Sequence, residues 1–386
     1  MAVGLPLLAR EVSSDPLKVA AVFAAGRVPW VFALVVGSLV DRCDARPVLV
    51  GADSVRAASL LLFGWWLIRS DDLPSVWLIC VISAILALFS ISFFAALQRV
   101  VPALVGGSEL EKANGYLDAG VNTGEQFVGP AMGAYFAAGG AIPVLVDAAS
   151  FAISATVLRR LPSMPSSPTA EMSSLRRDVA TGWNWFRSSS AMIVLTAATA
   201  AMTGLQSFVL ATEVIIVRDT LKLPKFWFGP FTAILAAGAI FGSLVAARLI
   251  ARLGSTTFSV TTITGALCFL ACAGTRSVPV VFGAMTLQSF TIGVNNVSNA
   301  ALRQRAVPVP LRGRVISLIR TFVFGVQIPG ALMGGWLAAR HGTDTLFTVV
   351  AGGFIGIVAV TARPLRRLLA PYQAGPHPTV EGANAA

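Results

Sequence analysis

The sequence predicts an all-α polytopic membrane protein made of two related six-helix bundles, and three observations support this fold class. The 386 residues are 55% hydrophobic and only 12% charged, about half the charged fraction of a soluble domain. The apolar residues gather into stretches long enough to cross a bilayer. Short sequences from the first half recur in the same order in the second half. This composition excludes soluble enzymes, disordered chains and disulfide-stapled domains.

The predicted spans are set by bilayer thickness, because a hydrocarbon core of roughly 30 Å requires about 20 apolar residues per helix. None of the stretches alternates polar and apolar residues as a membrane β-barrel does, so each is predicted to be a helix. They cover residues 19–40, 48–68, 75–97, 115–139, 142–158, 191–215, 226–250, 256–274, 278–301, 315–339 and 345–362.

The N-terminal residues depart from this pattern. Residues 1–9 are apolar, but Arg10 and Glu11 follow at once, and nine residues are too few to cross a bilayer. No basic segment precedes them, as it would in a signal peptide. We expect them to form the outer half of a first helix whose inner half is missing, through a misplaced start codon or a truncated gene.

The distribution of Lys and Arg predicts the orientation. Of the 29 basic residues, 18 fall in the loops on one side, 8 on the other and 3 within spans, so the richer side is predicted to be cytoplasmic. That side holds a Pro/Ser-rich linker followed by an amphipathic helix with Leu175, Val179, Trp183 and Phe186 on one face. The predicted domains are a bundle at 1–159, this linker at 160–190, a bundle at 191–363 and a disordered cytoplasmic tail at 364–386. The net charge of +11 is attributed to loops beside anionic lipid rather than to nucleic-acid binding.

Three pairs of short sequences indicate an internal duplication. They occupy equivalent places in the two halves and keep the same order. Ala95–Pro102 matches Ala300–Pro308, Gly37–Val40 matches Gly242–Val245, and Gly129–Gly133 matches Pro329–Gly334. Two six-helix halves related by an axis along the membrane normal are typical of transporters, which hold their substrate between the halves near the midplane.

The segment from Gly37 to Arg46 resembles the loop signature of the major facilitator superfamily, although Asp44 stands where Gly is usual and Pro47 where a basic residue is usual. Asp53–Ala57 is similar to a sequence of its bacterial exporters, which include macrolide and enterobactin-type siderophore efflux proteins. The resemblance implies the major facilitator fold, a monomer, and transport by alternating access. It assigns a gating role to Gly37, Asp41, Arg42 and Arg46; a simple helix-end anchor that sets topology is the alternative.

A second resemblance lies in the predicted fifth helix, where Gly124, Gly129, Pro130 and Gly133 are similar to the antiporter motif of the same superfamily. Small residues permit close helix approach and Pro bends a helix, which suits a rocking motion. Packing by small residues alone is the alternative.

Ionisable residues inside predicted spans are candidate coupling sites, because a charge near the bilayer centre costs about 3 kcal/mol and needs a partner or a cavity. Asp53 and Arg56 are three residues apart and most simply form a local pair. Glu125 lies near the midplane, where it could carry a proton, be neutralised permanently by Arg27, or do neither. The set comprises Arg27, Asp53, Arg56, Glu125 and Asp147, with Glu213 and Arg320 in the second half.

Polar amides in the second half are candidates for a substrate path, or equally for hydrogen bonds that hold helices together. They are Gln206, Gln288, Asn295, Asn296 and Gln327. The sequence contains no phosphate-binding loop, nucleophile elbow or zinc motif, so neither an enzyme nor a metal or other cofactor is predicted.

The predicted function is secondary active export of a small amphipathic or drug-like molecule across the cell membrane, driven by a proton gradient. Uptake or exchange of a small metabolite by the same fold is the first alternative. A lipid flippase or a membrane-embedded enzyme is the second.

Overall fold

The computed structural model describes residues 4–70, 72–104, 141–163, 175–308 and 311–373. Every regular element in these ranges is helical. The helices are α1 (Gly4–Val12), α2 (Pro16–Val31), α3 (Ala33–Asp41), α4 (Ala45–Arg69), α5 (Val76–Leu104), α6 (Ile142–Leu158), α7 (Leu175–Ser188), α8 (Ser190–Leu210), α9 (Phe228–Leu253), α10 (Thr257–Cys272), α11 (Val278–Ala306) and α12 (Arg312–Gln373). Glu213–Ile215 adds one short α-helical turn, and a π-helical turn, Ile216–Thr220, follows it.

Six stretches of the described chain are long and apolar enough to cross a membrane: Ala45–Arg69, Val76–Leu97, Ser190–Thr220, Lys225–Cys272, Val278–Ala306 and Val315–Leu368. Two of them turn back on themselves at a glycine with positive φ, Gly254 (53°) and Gly342 (80°), a conformation that L side chains rarely adopt. These glycines lie at opposite ends of the bundle, which we call the Gly254 end and the Gly342 end. The span predicted at 115–139 lies outside the described residues, as do most of the linker before α7 and the tail after α12.

The span predicted at 19–40 is two helices rather than one. The amide of Phe32 donates to the Pro29 carbonyl (3.0 Å), and α3 begins directly afterwards. Pro29, which lacks a backbone donor, lies in the last turn of α2 just before the break. The two parts place the candidate Arg27 on α2 and Gly37 on α3.

Close backbone contact holds the second half together. A Cβ on Gly293 of α11 would lie 2.0 Å from the Ala239 carbonyl oxygen of α9, and one on Gly242 would lie 2.1 Å from that of Phe290. Any side chain at either position would therefore force the helices apart. Gly242 belongs to one of the repeated sequences and packs closely here, whereas a Cβ on its counterpart Gly37 would meet nothing within 4 Å.

The amphipathic helix predicted in the linker is α7. The ring of Phe186 is buried, and its centroid lies 6.4 Å from that of Phe322 on α12. Trp183 stacks on Phe186 and lies 6.2 Å from Phe322. Trp183 and Phe186, on the apolar face of α7, therefore pack against α12 and tie the linker to the second half.

Candidate functional site: the contact surface between the two halves

The two halves meet closely at the Gly342 end, where α2 packs against α12. A Cβ on Gly335 would lie 2.5 Å from Cβ of Ala20 and 2.9 Å from the Pro16 carbonyl oxygen. One helical turn or more deeper, Ala24 of α2 and Ala331 of α12 belong to one buried cluster. Small residues on both helices allow this approach, and they leave no passage between α2 and α12 at this end.

Ion pairs across the halves cover the same end. The guanidinium of Arg10 on α1 donates from Nε to Asp219 Oδ2 (3.0 Å) and from Nη2 to Asp219 Oδ1 (2.7 Å). Arg218 lies 3.8 Å from Glu11. Arg218 and Asp219 both stand on the π-helical turn, an irregularity frequent at functional sites. The sequence offered no signal for these pairs, because their members are about 200 residues apart.

Arg27 lies on the half-to-half surface at about mid-depth. Its guanidinium carbon is 4.9 Å from the ring centroid of Phe23 and 5.8 Å from that of Phe324, which belongs to α12. Trp30 meets Phe324 at 4.9 Å. Arg27 makes further interactions as well. The candidate charge is thus held among aromatic rings of both halves, and cation–π contact contributes to its stabilisation.

Asp53 and Arg56 form the local pair that their spacing predicts. Arg56 Nη2 donates to Asp53 Oδ1 within the buried interior of the first half. The guanidinium lies over Phe93 (4.8 Å) and Phe151 (4.5 Å). Asp147 acts on Arg56 electrostatically, so the three charged candidates on α4 and α6 form one group. This group is enclosed by its own half and does not face the other.

The loop between α3 and α4 carries the candidate gating residues. Arg42 is exposed and Arg46 is half-buried; the side chain of Asp41 lies outside the described part of the chain. Asp44 caps α4, because its Oδ1 accepts from the Arg46 amide (2.9 Å), and its Oδ2 accepts from Ser163 beyond α6. Sequence reasoning noted Asp44 only as a departure from the family loop. An Asp directly before an apolar helix is itself an N-cap signal.

Two of the five amide candidates contact another helix of the second half. Asn295 accepts a hydrogen bond from Thr261 of α10 (2.9 Å), and Gln288 lies beside Gly265 of the same helix, so both are contacts within the second half. Asn296 is exposed, and Gln206 is buried. Gln327 is buried, and its Oε1 has no hydrogen-bond partner. The remaining candidates, Gly124, Glu125, Gly129, Pro130 and Gly133, lie outside the described residues.

Comparison with known proteins gives consistent matches over nearly the whole chain. A family profile described as Major Facilitator Superfamily matches residues 1–326. The multidrug efflux pump Tap of Mycolicibacterium fortuitum is 25% identical over 395 residues, covering 95% of this chain and 92% of the pump.

Solved transporter structures share the fold. A mutant of the nucleoside transporter NupG superposes with a TM-score of 0.76 at 13% identity, over 95% of this chain and 94% of that one. A bacterial homologue of the iron transporter ferroportin, solved in an inward-facing state, gives 0.66 at 17% identity over 96% and 93%. At these identities the likeness concerns the fold alone.

Proposed function

Since the chain belongs to the Major Facilitator Superfamily, and is therefore a membrane transporter rather than an enzyme, we propose that it exports small amphipathic or drug-like molecules by alternating access. The two halves rock about the surface where α2 meets α12. A proton gradient across the cell membrane drives the cycle.

The closed Gly342 end is the observation that supports alternating access most strongly. The cross-half contacts described above run from Arg10 and Asp219 at that end to Trp30 and Phe324 at mid-depth. The greater number of Lys and Arg in the loops at the Gly254 end supports a cytoplasmic position for that end, by the positive-inside rule. The observed arrangement then corresponds to a state closed to the outside, which receives its cargo from the cytoplasm.

Export of drug-like cargo is favoured over metabolite uptake by the whole-length match to the efflux pump. The surface also has suitable chemistry, because Phe23, Trp30 and Phe324 offer aromatic rings beside the cation of Arg27. Aromatic faces bind apolar bodies without requiring one fixed hydrogen-bond pattern. Such a surface accommodates several related molecules.

Proton coupling is assigned to Glu125, the sequence candidate at mid-depth of the predicted fifth helix. A carboxyl group held away from water gains and loses its proton as access alternates. Asp53 is a weaker candidate for this role, since Arg56 and two aromatic rings enclose it within the first half.

An efflux assay tests the function. Cells expressing the chain are loaded with a panel of fluorescent amphipathic dyes, and retained dye is followed with and without a protonophore. We expect lower retention of at least one dye, abolished by the protonophore and by Glu125→Gln. Unchanged retention of every dye contradicts export, and proton-driven efflux by Glu125→Gln contradicts the coupling role.

A further inference from the structure

Two arginines of the second half have no ion-pair partner among the described residues. Arg303 is on α11, three residues before its end at Ala306, and Arg320 is on α12. Nε and Nη2 of Arg303 are buried and have no hydrogen-bond partner. The charge of Arg320 is close enough to act on Arg303 by repulsion. The buried donors of Arg303 therefore lie within range of a second positive charge, whereas buried charges are normally paired with an opposite one.

This arrangement differs from that of the other buried arginine described above. Arg56 is buried too, but Asp53 accepts its hydrogen bond and two aromatic rings lie against its guanidinium. In the described part of the chain, no carboxylate forms an ion pair with Arg303 or Arg320. A buried guanidinium left with free donors costs free energy, so the position favours an anionic group that the described residues do not provide.

Helix geometry puts Arg320 on the side of α12 that faces the first half. Residues four and seven apart share one helix face, so Arg320, Phe324 and Gln327 line the same side of α12. Phe324 contacts Trp30 of the first half, and this fixes the direction of that side. Arg320 is one turn nearer the Gly254 end and is exposed. On α11, Arg303 is seven residues beyond the exposed Asn296, and shares its face.

We propose that Arg303 and Arg320 form an anion subsite that binds a sulfonate, phosphate or carboxylate group. The proposal rests on the export function above and specifies its cargo as an amphipathic anion. The acidic group binds the two guanidinium ions, and the apolar body lies on Trp30 and Phe324, one turn away. The same acidic chemistry is present in anionic phospholipid headgroups, and the experiment separates the two sources.

The test measures binding of two dansyl amides, one ending in a sulfonate and one in a trimethylammonium, to the full chain in phosphatidylcholine nanodiscs. Arg303→Gln and Arg320→Gln are each expected to weaken binding of the sulfonate probe about tenfold or more, as for lost charged hydrogen bonds. Arg252→Gln, an exposed arginine in the last turn of α9, is the matched control and leaves binding unchanged. Arg320→Glu is expected to reverse the preference towards the trimethylammonium probe.

A second arm replaces part of the lipid with phosphatidylglycerol. The subsite is assigned to a lipid headgroup if phosphatidylglycerol competes with the sulfonate probe and also raises the melting temperature of the unmodified chain but not of the two Gln variants. Absence of competition assigns it to cargo. The proposal is overturned if the Gln variants bind the sulfonate probe as the unmodified chain does, or lose both probes equally. Export of cationic dyes in the cell assay can persist in that case, so this failure is distinct from failure of the transport function.

Discussion

The ion pair between Arg10 and Asp219 makes a quantitative prediction about access at the Gly342 end. Its two hydrogen bonds are short (2.7 and 3.0 Å), but the side chains are 22% and 36% exposed. Solvent-exposed ion pairs contribute about 0.2–1 kcal/mol, with bidentate geometry near the upper limit. A loss of about 1 kcal/mol corresponds to roughly a fivefold change in an equilibrium constant. Asp219→Asn should therefore raise the population open at this end about fivefold.

Charge reversal sharpens the prediction. Asp219→Arg places a third cation beside Arg10 and Arg218, so its effect should exceed that of Asp219→Asn and reach about tenfold. The double exchange Arg10→Asp with Asp219→Arg restores an attractive pair and should return the population towards its original value. High salt should narrow all of these differences, because the Debye length falls from about 10 Å at 0.1 M to about 3 Å at 1 M.

Thiol labelling measures the open population. Ala24, which is buried between α2 and α12, is replaced by Cys in a chain whose four native cysteines have been removed. A chain whose only cysteine replaces the exposed Ser75, in the loop between α4 and α5, is the control, and its labelling rate should stay constant. Equal labelling of Ala24→Cys in every charge variant, or no recovery in the double exchange, refutes the assignment of these ion pairs to closure.

Further predictions concern stability. Gly330→Ala places a Cβ 2.3 Å from a carbonyl oxygen of α8 and should destabilise the protein by about 1–3 kcal/mol; Gly352→Ala, with open space at its Cβ, should leave the melting temperature in detergent unchanged. Asp44→Ala removes the cap of α4 and should cost about 1 kcal/mol, whereas Asp44→Asn keeps a good cap, so equal melting of the two contradicts the capping role. Asp53→Asn removes the ion pair of the buried Arg56, leaves Asp147 as the carboxylate acting on it, and should cost up to about 3–5 kcal/mol. The double variant with Arg56→Met should recover part of that loss, and a double variant no more stable than Asp53→Asn contradicts the pairing.

Local signals in the sequence were sufficient to predict part of the candidate site. The pair of Asp53 and Arg56 was predicted because residues three apart on a helix face one another whatever surrounds them. The break within the first long span was not predicted, although Pro29 marks it. Apolar content sets how much of a helix crosses the bilayer, and backbone hydrogen bonding sets where the helix is continuous.

Among the amides, the sequence could not distinguish a substrate path from internal packing. Asn295 and Asn296 are adjacent, but one is buried against Thr261 and the other is exposed. Successive residues on a helix point about 100° apart, and the positions of the neighbouring helices decide which of the two directions is enclosed.

The sequence alone predicted the apolar spans and the family, because these depend on apolar length and on short motifs along the chain; the internal duplication stays a prediction. Only the tertiary structure showed that Arg10 meets Asp219 and that α2 and α12 close the Gly342 end. Those contacts join residues that are distant in sequence or lie on different helices, so they depend on how rigid helices pack in three dimensions rather than on any local pattern.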